Sequence, residues 1–274
     1  MGNDTLNGAV GNDTLYGNEG NDILNGGDDN DLLLGWNGND TLFGGNGDDS
    51  LDGQAGIDDL YGGAGDDVYT LTNRADTIIE APNSGNDTLR SPFTLQLPRE
   101  LENLTLIGDR RQNGRGNSVD NILRGSSTRN RLLGLGGNDR LVGFSGNDVL
   151  LGGNGDDELL GGRGRDTLIG EAGRDRFTFE FRDEGRDRIA DFSVSQDTVG
   201  VARSGFGRNL DRGTLSASRL HVGSSASDRT DRFIYDPNRG ALFFDPDGTG
   251  GTRQTQIASL DRNLNFTRRN IVVL

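Results

Sequence analysis

The chain has 274 residues, of which 45 are glycine, 31 % are hydrophobic and 6 % are aromatic; large apolar side chains are too few for a conventional layered core. Its net charge of −15 sits in the first quarter, because residues 1–70 hold fifteen Asp and Glu and no Arg while the other 28 acidic residues are balanced by 28 Arg. This balance excludes nucleic acid as a partner of the first quarter and favours cations. No run of apolar residues is long enough for a helical membrane span. The lack of cysteine excludes disulfides and thiolate metal sites.

The opening residues show no basic and apolar signal peptide, so export by the general secretory route is not expected. The chain begins inside a repeat at Gly2, with no lead-in cap, which suggests truncation or a lost N-terminal partner. From there Asp recurs every nine residues: Asp4, Asp13, Asp22, Asp31, Asp40, Asp49, Asp58 and Asp67. Two residues after each comes an apolar side chain, Leu6, Leu15, Leu24, Leu33, Leu42, Leu51, Leu60 and Tyr69. Two residues before each comes glycine, except at Asp29. A flexible glycine-rich linker would not hold leucine in register, so these are structural repeats and not a string of isolated turns. The apolar residue and its two neighbours predict a short strand with the apolar side chain inward. The six residues before it predict a turn in which glycine supplies positive φ, and Asp29 tolerates the same conformation.

A second block repeats the pattern with Asp139, Asp148, Asp157, Asp166 and Asp175, followed by Leu141, Leu150, Leu159, Leu168 and Phe177. Asn121 and Asn130 extend its register upstream, with amides in place of carboxylates. Between the blocks, residues 94–106 alternate apolar and polar side chains about Pro98 and read as two strands. After residue 177 glycine thins out and phenylalanine becomes frequent, which predicts a small β-rich cap with an ordinary core. Residues 232–245 read as a hairpin. Asp245 and Asp247 read as turn residues in preference to a further cation site.

The segments Gly44–Asp52 and Gly152–Leu160 fit the pattern G-G-x-G-x-D-x-U-x and resemble the repeats of RTX (haemolysin-type calcium-binding) proteins. Residues 101–108 resemble the insert between blocks of long RTX proteins, and residues 232–250 resemble the C-terminal region of cyanobacterial-type members. The resemblance implies an all-β parallel β-roll, a right-handed solenoid with two nonapeptides per turn. It implies repeat blocks at residues 1–69 and 114–177, a strand-rich insert at 70–113 and a cap at 178–274 that carries an uncleaved type I secretion signal.

Residues eighteen apart then stack about one strand spacing, roughly 5 Å, from each other. Asp4, Asp22, Asp40 and Asp58 fall on one edge, and Asp13, Asp31, Asp49 and Asp67 on the other. Carboxylates at that distance repel by about 3 kcal/mol at an effective dielectric near 20. A hard divalent ion between each pair removes the penalty, and calcium suits a site of carboxylates and carbonyls better than magnesium does. The thin inner column of leucines cannot offset the entropy of ordering the glycine-rich turns, so the first block is expected to fold only with calcium.

Enzymatic activity is not expected. His221 is the single histidine, the carboxylates form a ladder in place of a cleft, and Trp36 is the single tryptophan available as a sugar platform. The reading is therefore a secreted, extracellular calcium-binding module with calcium ions and a type I secretion apparatus as partners. The alternatives are a surface-layer or adhesin protein that meets cell-surface polysaccharide, and the C-terminal secretion module of a truncated exoenzyme.

Overall fold

Alternation decides which side chains enter the core. In Thr5–Val10, Leu6 and Gly8 point inward and Asn7 points out, and the same phase recurs in every repeat of the first block. A computed structural model describes residues 2–207 and 209–274, and the chain divides into two units, residues 1–117 and 118–274.

In the first unit, Thr5–Val10, Ile23–Asp28, Thr41–Asn46, Asp59–Ala64 and Thr77–Ile79 form one parallel ladder, each strand paired with the one eighteen residues later. The intervening strands Thr14–Glu19, Leu32–Asn37, Ser50–Asp52 and Val68–Thr70 form a second ladder in the same register. That ladder continues through Thr88–Ser91 and Asn103–Leu106. Leu24, Leu33, Leu42, Leu51, Leu60 and Tyr69 line the space between the ladders and are buried. The two strands expected in residues 94–106 are Leu95–Gln96 and Asn103–Leu106. They pair in parallel with Asn113–Arg115 and Thr88–Ser91, so the first opens a new ladder, the second continues an existing one, and the two do not pair with each other.

The second unit starts in the same way. Ile122–Arg124, Arg140–Val142, Glu158–Leu160 and Arg176–Phe181 form one parallel ladder, and Arg131–Gly136, Val149–Asn154 and Thr167–Ala172 another. Both run on past residue 177. The first takes in Thr198–Ala202 and Ile271–Val273, and the second Asp187–Ile189 and Thr255–Ser259. Antiparallel pairing then appears: Thr255–Ser259 lies beside Ala241–Phe244, which forms with Phe233–Asp236 the hairpin expected from sequence. Aromatic side chains replace the leucine column here, with Phe192 between Phe177 and Phe266, and Phe206 against Phe233 and Phe244. His221 lies half-buried in the strand Leu220–Val222.

The fold is thus an all-β parallel solenoid, with two departures from the expected local geometry. Many repeat strands are six residues long, not three, because the turn backbone also pairs with the next turn, as Ala9 with Gly27 and Val10 with Asp28. Each turn also needs left-handed backbone at a second position, four residues before Asp. That place holds Gly27, Gly45, Gly63, Gly153 and Gly162, but also Ala9, Asn18, Trp36, Gln54, Leu135, Phe144 and Glu171, all at positive φ. Asp29 has φ 76°, as its place in the repeat requires. Phe144 is a bulky residue held at φ 68° with its ring half exposed, whereas Gly162, its counterpart one turn on, meets the same demand without steric cost. Phe144→Gly is therefore expected to stabilise the folded chain by about 1 kcal/mol. The check is a rise in its urea midpoint at unchanged slope.

Candidate metal centre

Most repeats place two polar side chains in succession, an Asn or Asp and then the periodic Asp, and the two reach in opposite directions along the roll. The periodic Asp reaches back. Its Oδ1 accepts the backbone N–H of the residue eighteen before it, so Asp22 Oδ1 takes the Asp4 N–H at 2.7 Å and Asp40 Oδ1 takes the Asp22 N–H at 2.8 Å. Asp31, Asp49, Asp58 and Asp67 repeat the bond in the first block. Asp139, Asp148, Asp157, Asp166 and Asp175 repeat it in the second, the first two receiving the N–H groups of Asn121 and Asn130. The preceding residue reaches forward: Asn3 Oδ1 accepts from Asn21 N–H, Asn21 from Asn39, and Asn39 from Ile57, each at 2.9 Å.

This bonding uses only one carboxylate oxygen. The other, Oδ2, is buried without a hydrogen-bond partner at Asp13, Asp22, Asp31, Asp40, Asp49, Asp58, Asp67, Asp139, Asp148, Asp157 and Asp166. A buried, unpaired anionic oxygen is costly, and a whole file of them requires positive charge. Of the thirteen aspartates singled out by spacing, Asp4 is exposed and Asp13 half-buried, and the other eleven are at most 4 % exposed.

What the Oδ2 atoms face is set by glycine. A Cβ placed on Gly17 would lie 2.7 Å from Asp22 Oδ2 and 2.6 Å from the Gly35 carbonyl oxygen; on Gly143 it would lie 2.6 Å from both Asp148 Oδ2 and the Gly161 carbonyl oxygen. The same convergence recurs at Gly8, Gly26, Gly35, Gly44 and Gly134. At these seven glycines a carboxylate oxygen therefore shares a cradle with a main-chain carbonyl of the next turn, and any side chain at the glycine would fill it. Spacing alone places a cation between two carboxylates. The structure puts a backbone N–H between them and leaves a carboxylate oxygen and a carbonyl oxygen side by side, a donor set of hard oxygens that fits calcium.

The electrostatics agree. Burial, opposed in part by the backbone hydrogen bond and reinforced by neighbouring carboxylates, raises Asp67, Asp139 and Asp175 from the ordinary 3.8 to about 7. Asp49, Asp58 and Asp157 rise to about 6 for the same reasons. Burial likewise lifts Asp148 to about 7, although Arg129 works against it. Other arginines of the second block turn outward: Arg140 and Arg176 flank Glu158 at 3.0 and 2.9 Å, and Arg174 meets Asp156 at 2.5 Å.

Both files extend past the residues that strict spacing identified. The Asp58 N–H is accepted by Asp76, Asp67 by Asp87, Asp87 by Glu102, Asp166 by Asp187 and Asp175 by Asp197. Asp87 also has a buried Oδ2 without a partner, and burial raises Asp187 to about 8. Asp76 lies nine residues after Asp67, in the strict period, and was passed over; the signal of the others was local, since Asp87-Thr88-Leu89, Asp187-Arg188-Ile189 and Asp197-Thr198-Val199 keep the Asp-x-apolar core of the repeat. Asn121 and Asn130 occupy the files as buried amides, and Asn130 Oδ1 closes its own turn by accepting from Ser126 N–H at 2.7 Å. Asp245 and Asp247 form a local turn, with Asp245 Oδ1 accepting from the N–H groups of Asp247 and Gly248.

The family model for the RTX calcium-binding nonapeptide repeat matches in four copies, at residues 1–33, 34–69, 115–150 and 142–177. Among solved structures, the AlgE6R3 subunit of the Azotobacter vinelandii mannuronan C5-epimerase is 28 % identical over 57 % of this chain and 78 % of its own, with a TM-score of 0.26. The extracellular lipase LipA of Serratia marcescens is 20 % identical over 94 % of this chain, with a TM-score of 0.33, and this chain spans 40 % of its length. Comparison with curated proteins gives no match. The matched residues are those that carry the aspartate files and their glycine cradles: the chain is an RTX calcium-binding nonapeptide-repeat protein that binds calcium through the Gly/Asp repeats of a β-roll.

Proposed function

We propose that Asp4, Asp13, Asp22, Asp31, Asp40, Asp49, Asp58 and Asp67 in the first block, and Asp139, Asp148, Asp157, Asp166 and Asp175 in the second, are the calcium ligands. We further propose that the ions switch the chain from an unfolded to a folded form outside the cell. The observation that carries this reading is the file of buried Oδ2 atoms, with those of Asp13, Asp22, Asp31, Asp40, Asp49, Asp139 and Asp148 beside a main-chain carbonyl of the next turn. Calcium supplies the positive charge that lets those oxygens stay ionised in the interior. The glycines keep the cradle open, and the backbone N–H on Oδ1 holds each carboxylate in place.

Proteins with these repeats are typically secreted, and this chain is assigned to the extracellular space with export through a type I apparatus. The C-terminal strand supports passage in an unfolded state. Ile271 and Val273 are buried, and Leu274 N–H bonds Val201 at 3.0 Å, so the last residues are accessible to a transporter only before the fold closes. The chain is assigned a binding and folding role, not a catalytic one. Its carboxylates lie in long files, and the one histidine stands apart in a strand. The likeness of residues 232–250 to cyanobacterial-type members rests on their sequence pattern alone.

Two measurements test this. Far-UV circular dichroism of the full chain should show strand structure emerging as calcium rises to millimolar levels and vanishing with a chelator; a spectrum indifferent to calcium refutes the reading. Asp40→Ala removes one buried carboxylate and its hydrogen bond, and is expected to destabilise the calcium-bound state by about 1.5–3 kcal/mol. The pH dependence follows from the raised carboxylates. A folded-state value above the unfolded one gives stability that is present at low pH and lost as pH rises through about 6 to 8. Without calcium, the chain should therefore hold more strand at about pH 5.5 than at about pH 8. With calcium the order reverses, because protons compete for the same oxygens, and the calcium midpoint should rise at least about tenfold between pH 8 and pH 6.

A further inference from the structure

The inward position two residues after each core leucine is glycine through most of the first block, and on one edge it runs Gly8, Gly26, Gly44, Gly62. The next member, eighteen residues on, is Glu80. Thr77–Ile79 pairs with the preceding strand so that Ile79 lies opposite Tyr61, which brings Glu80 opposite Gly62. In the neighbouring turns the glycine at this place contributes a carbonyl beside the Oδ2 of the Asp thirteen residues earlier, as Gly26 does for Asp13 and Gly44 for Asp31. The Asp thirteen before Glu80 is Asp67.

Glu80 thus brings a carboxylate to a place where the repeat offers a neutral carbonyl. Its Oε2 receives the hydroxyl of Tyr69, the one residue in the buried column of this block that is not leucine. Its Oε1 accepts from Gly63 N–H at 3.4 Å and Ala81 N–H at 3.3 Å. Carboxylate oxygens of Asp67, Glu80 and Asp87 all lie within 4.8 Å of one another. Asp67 and Asp87 are 1 % and 0 % exposed, and the Oδ2 of each has no hydrogen-bond partner. The charged groups acting on this pair are acidic throughout: Asp49 and Glu80 on Asp67, and Glu80, Glu102 and Asp66 on Asp87.

We propose that Asp67, Glu80 and Asp87 form a three-carboxylate calcium site at the end of the first repeat block, outside the nonapeptide pattern and the tightest site of that block. It rests on the calcium reading above and adds to it a site that uses a residue of the insert. Affinity in oxygen-ligand sites is tuned by the count of charged ligands, and this cluster gathers three where a nonapeptide cradle pairs one carboxylate oxygen with a carbonyl. Tyr69 is the positioning residue, since its hydroxyl fixes the Glu80 carboxylate. The site also fastens the insert: the file steps twenty residues from Asp67 to Asp87 here, and an ion held by Glu80 ties the longer loop back to the regular turn below it.

Terbium, a luminescent calcium substitute excited through nearby tyrosine, tests the site on the full chain. Emission should rise with the first equivalent of terbium. Tyr69→Phe should abolish most of that first-equivalent emission; Phe177 fills the matching column position in the second block, so the column itself accepts phenylalanine. Glu80→Gln should weaken the tightest calcium site by roughly tenfold or more in calorimetry and leave the remaining sites unchanged. First-equivalent emission unaltered by Tyr69→Phe, or a tightest site unaltered by Glu80→Gln while Asp40→Ala still weakens binding, overturns this site alone. A wild-type chain that takes up no calcium overturns the repeat reading and the site with it.

Discussion

The structure depends on one electrostatic constraint: carboxylates stacked at strand spacing, with one oxygen of each turned away from water. A β-solenoid built from nine-residue repeats has a narrow interior, one leucine wide, and its stability cannot come from apolar area alone. The remaining stabilisation has to come from the edges, where the chain turns. There the sequence concentrates charge of one sign, which is unfavourable until a cation is bound and strongly favourable after. Arginine is abundant in the second block and could in principle neutralise the files. Yet those paired with Glu158 and Asp156 lie on the outer surface, and the cradles are too close-fitting for even a Cβ. A bare ion is the one positive charge that needs no side chain to deliver it.

Charge alone would not fix the register, because a parallel stack of near-identical repeats can slip. The paired ladders prevent this. The periodic Asp accepts an N–H from the turn before it, and the residue just ahead of it accepts an N–H from the turn after it. A slip of one residue would break both sets at once and would also turn the leucine column outward. The two adjacent polar residues of the repeat therefore have separate duties: the first locks turns together, and the second does so with one oxygen while offering the other to the metal.

Much of this was legible in the sequence because the repeat is strict. The period of nine, the leucine two residues on and the Gly-Asp chemistry marked stacked repeats that favour a hard divalent ion, and the resemblance to RTX repeats supplied the β-roll with its two files. The strand pairs of eighteen residues followed from the family's two repeats per turn. Other features were hidden for identifiable reasons. Asp87, Asp187 and Asp197 sit at intervals of 20, 21 and 22 residues from their partners, so a search for a fixed period passes over them although their Asp-x-apolar triplets remain. The second left-handed position in each turn was invisible because its occupants include Trp36, Leu135 and Phe144, residues that no local preference would put there. The stacking of repeats overrides their intrinsic reluctance. Carbonyls were expected beside the carboxylates; that one oxygen of each Asp is taken by a backbone N–H is a matter of side-chain orientation, which spacing does not encode.

The second unit shows what happens where the constraint is released. Its files carry carboxylates as far as Asp187 and Asp197, and beyond them the strands pair with antiparallel neighbours around Phe192, Phe233, Phe244 and Phe266. Stacked aromatic rings bury enough surface to order a chain without help from ions. The two parts of this unit therefore differ in what fills them: buried carboxylates in the repeat turns, and apolar side chains in the aromatic part. Thr198–Ala202 belongs to both. It receives the file's hydrogen-bonding pattern at Asp197 and contributes Val199 and Val201 to the buried interior beside Ile271 and Val273. On the proposed calcium-driven folding, this strand gives the repeat turns an edge on which each successive turn can form, so that calcium has only to extend a sheet and not to nucleate one.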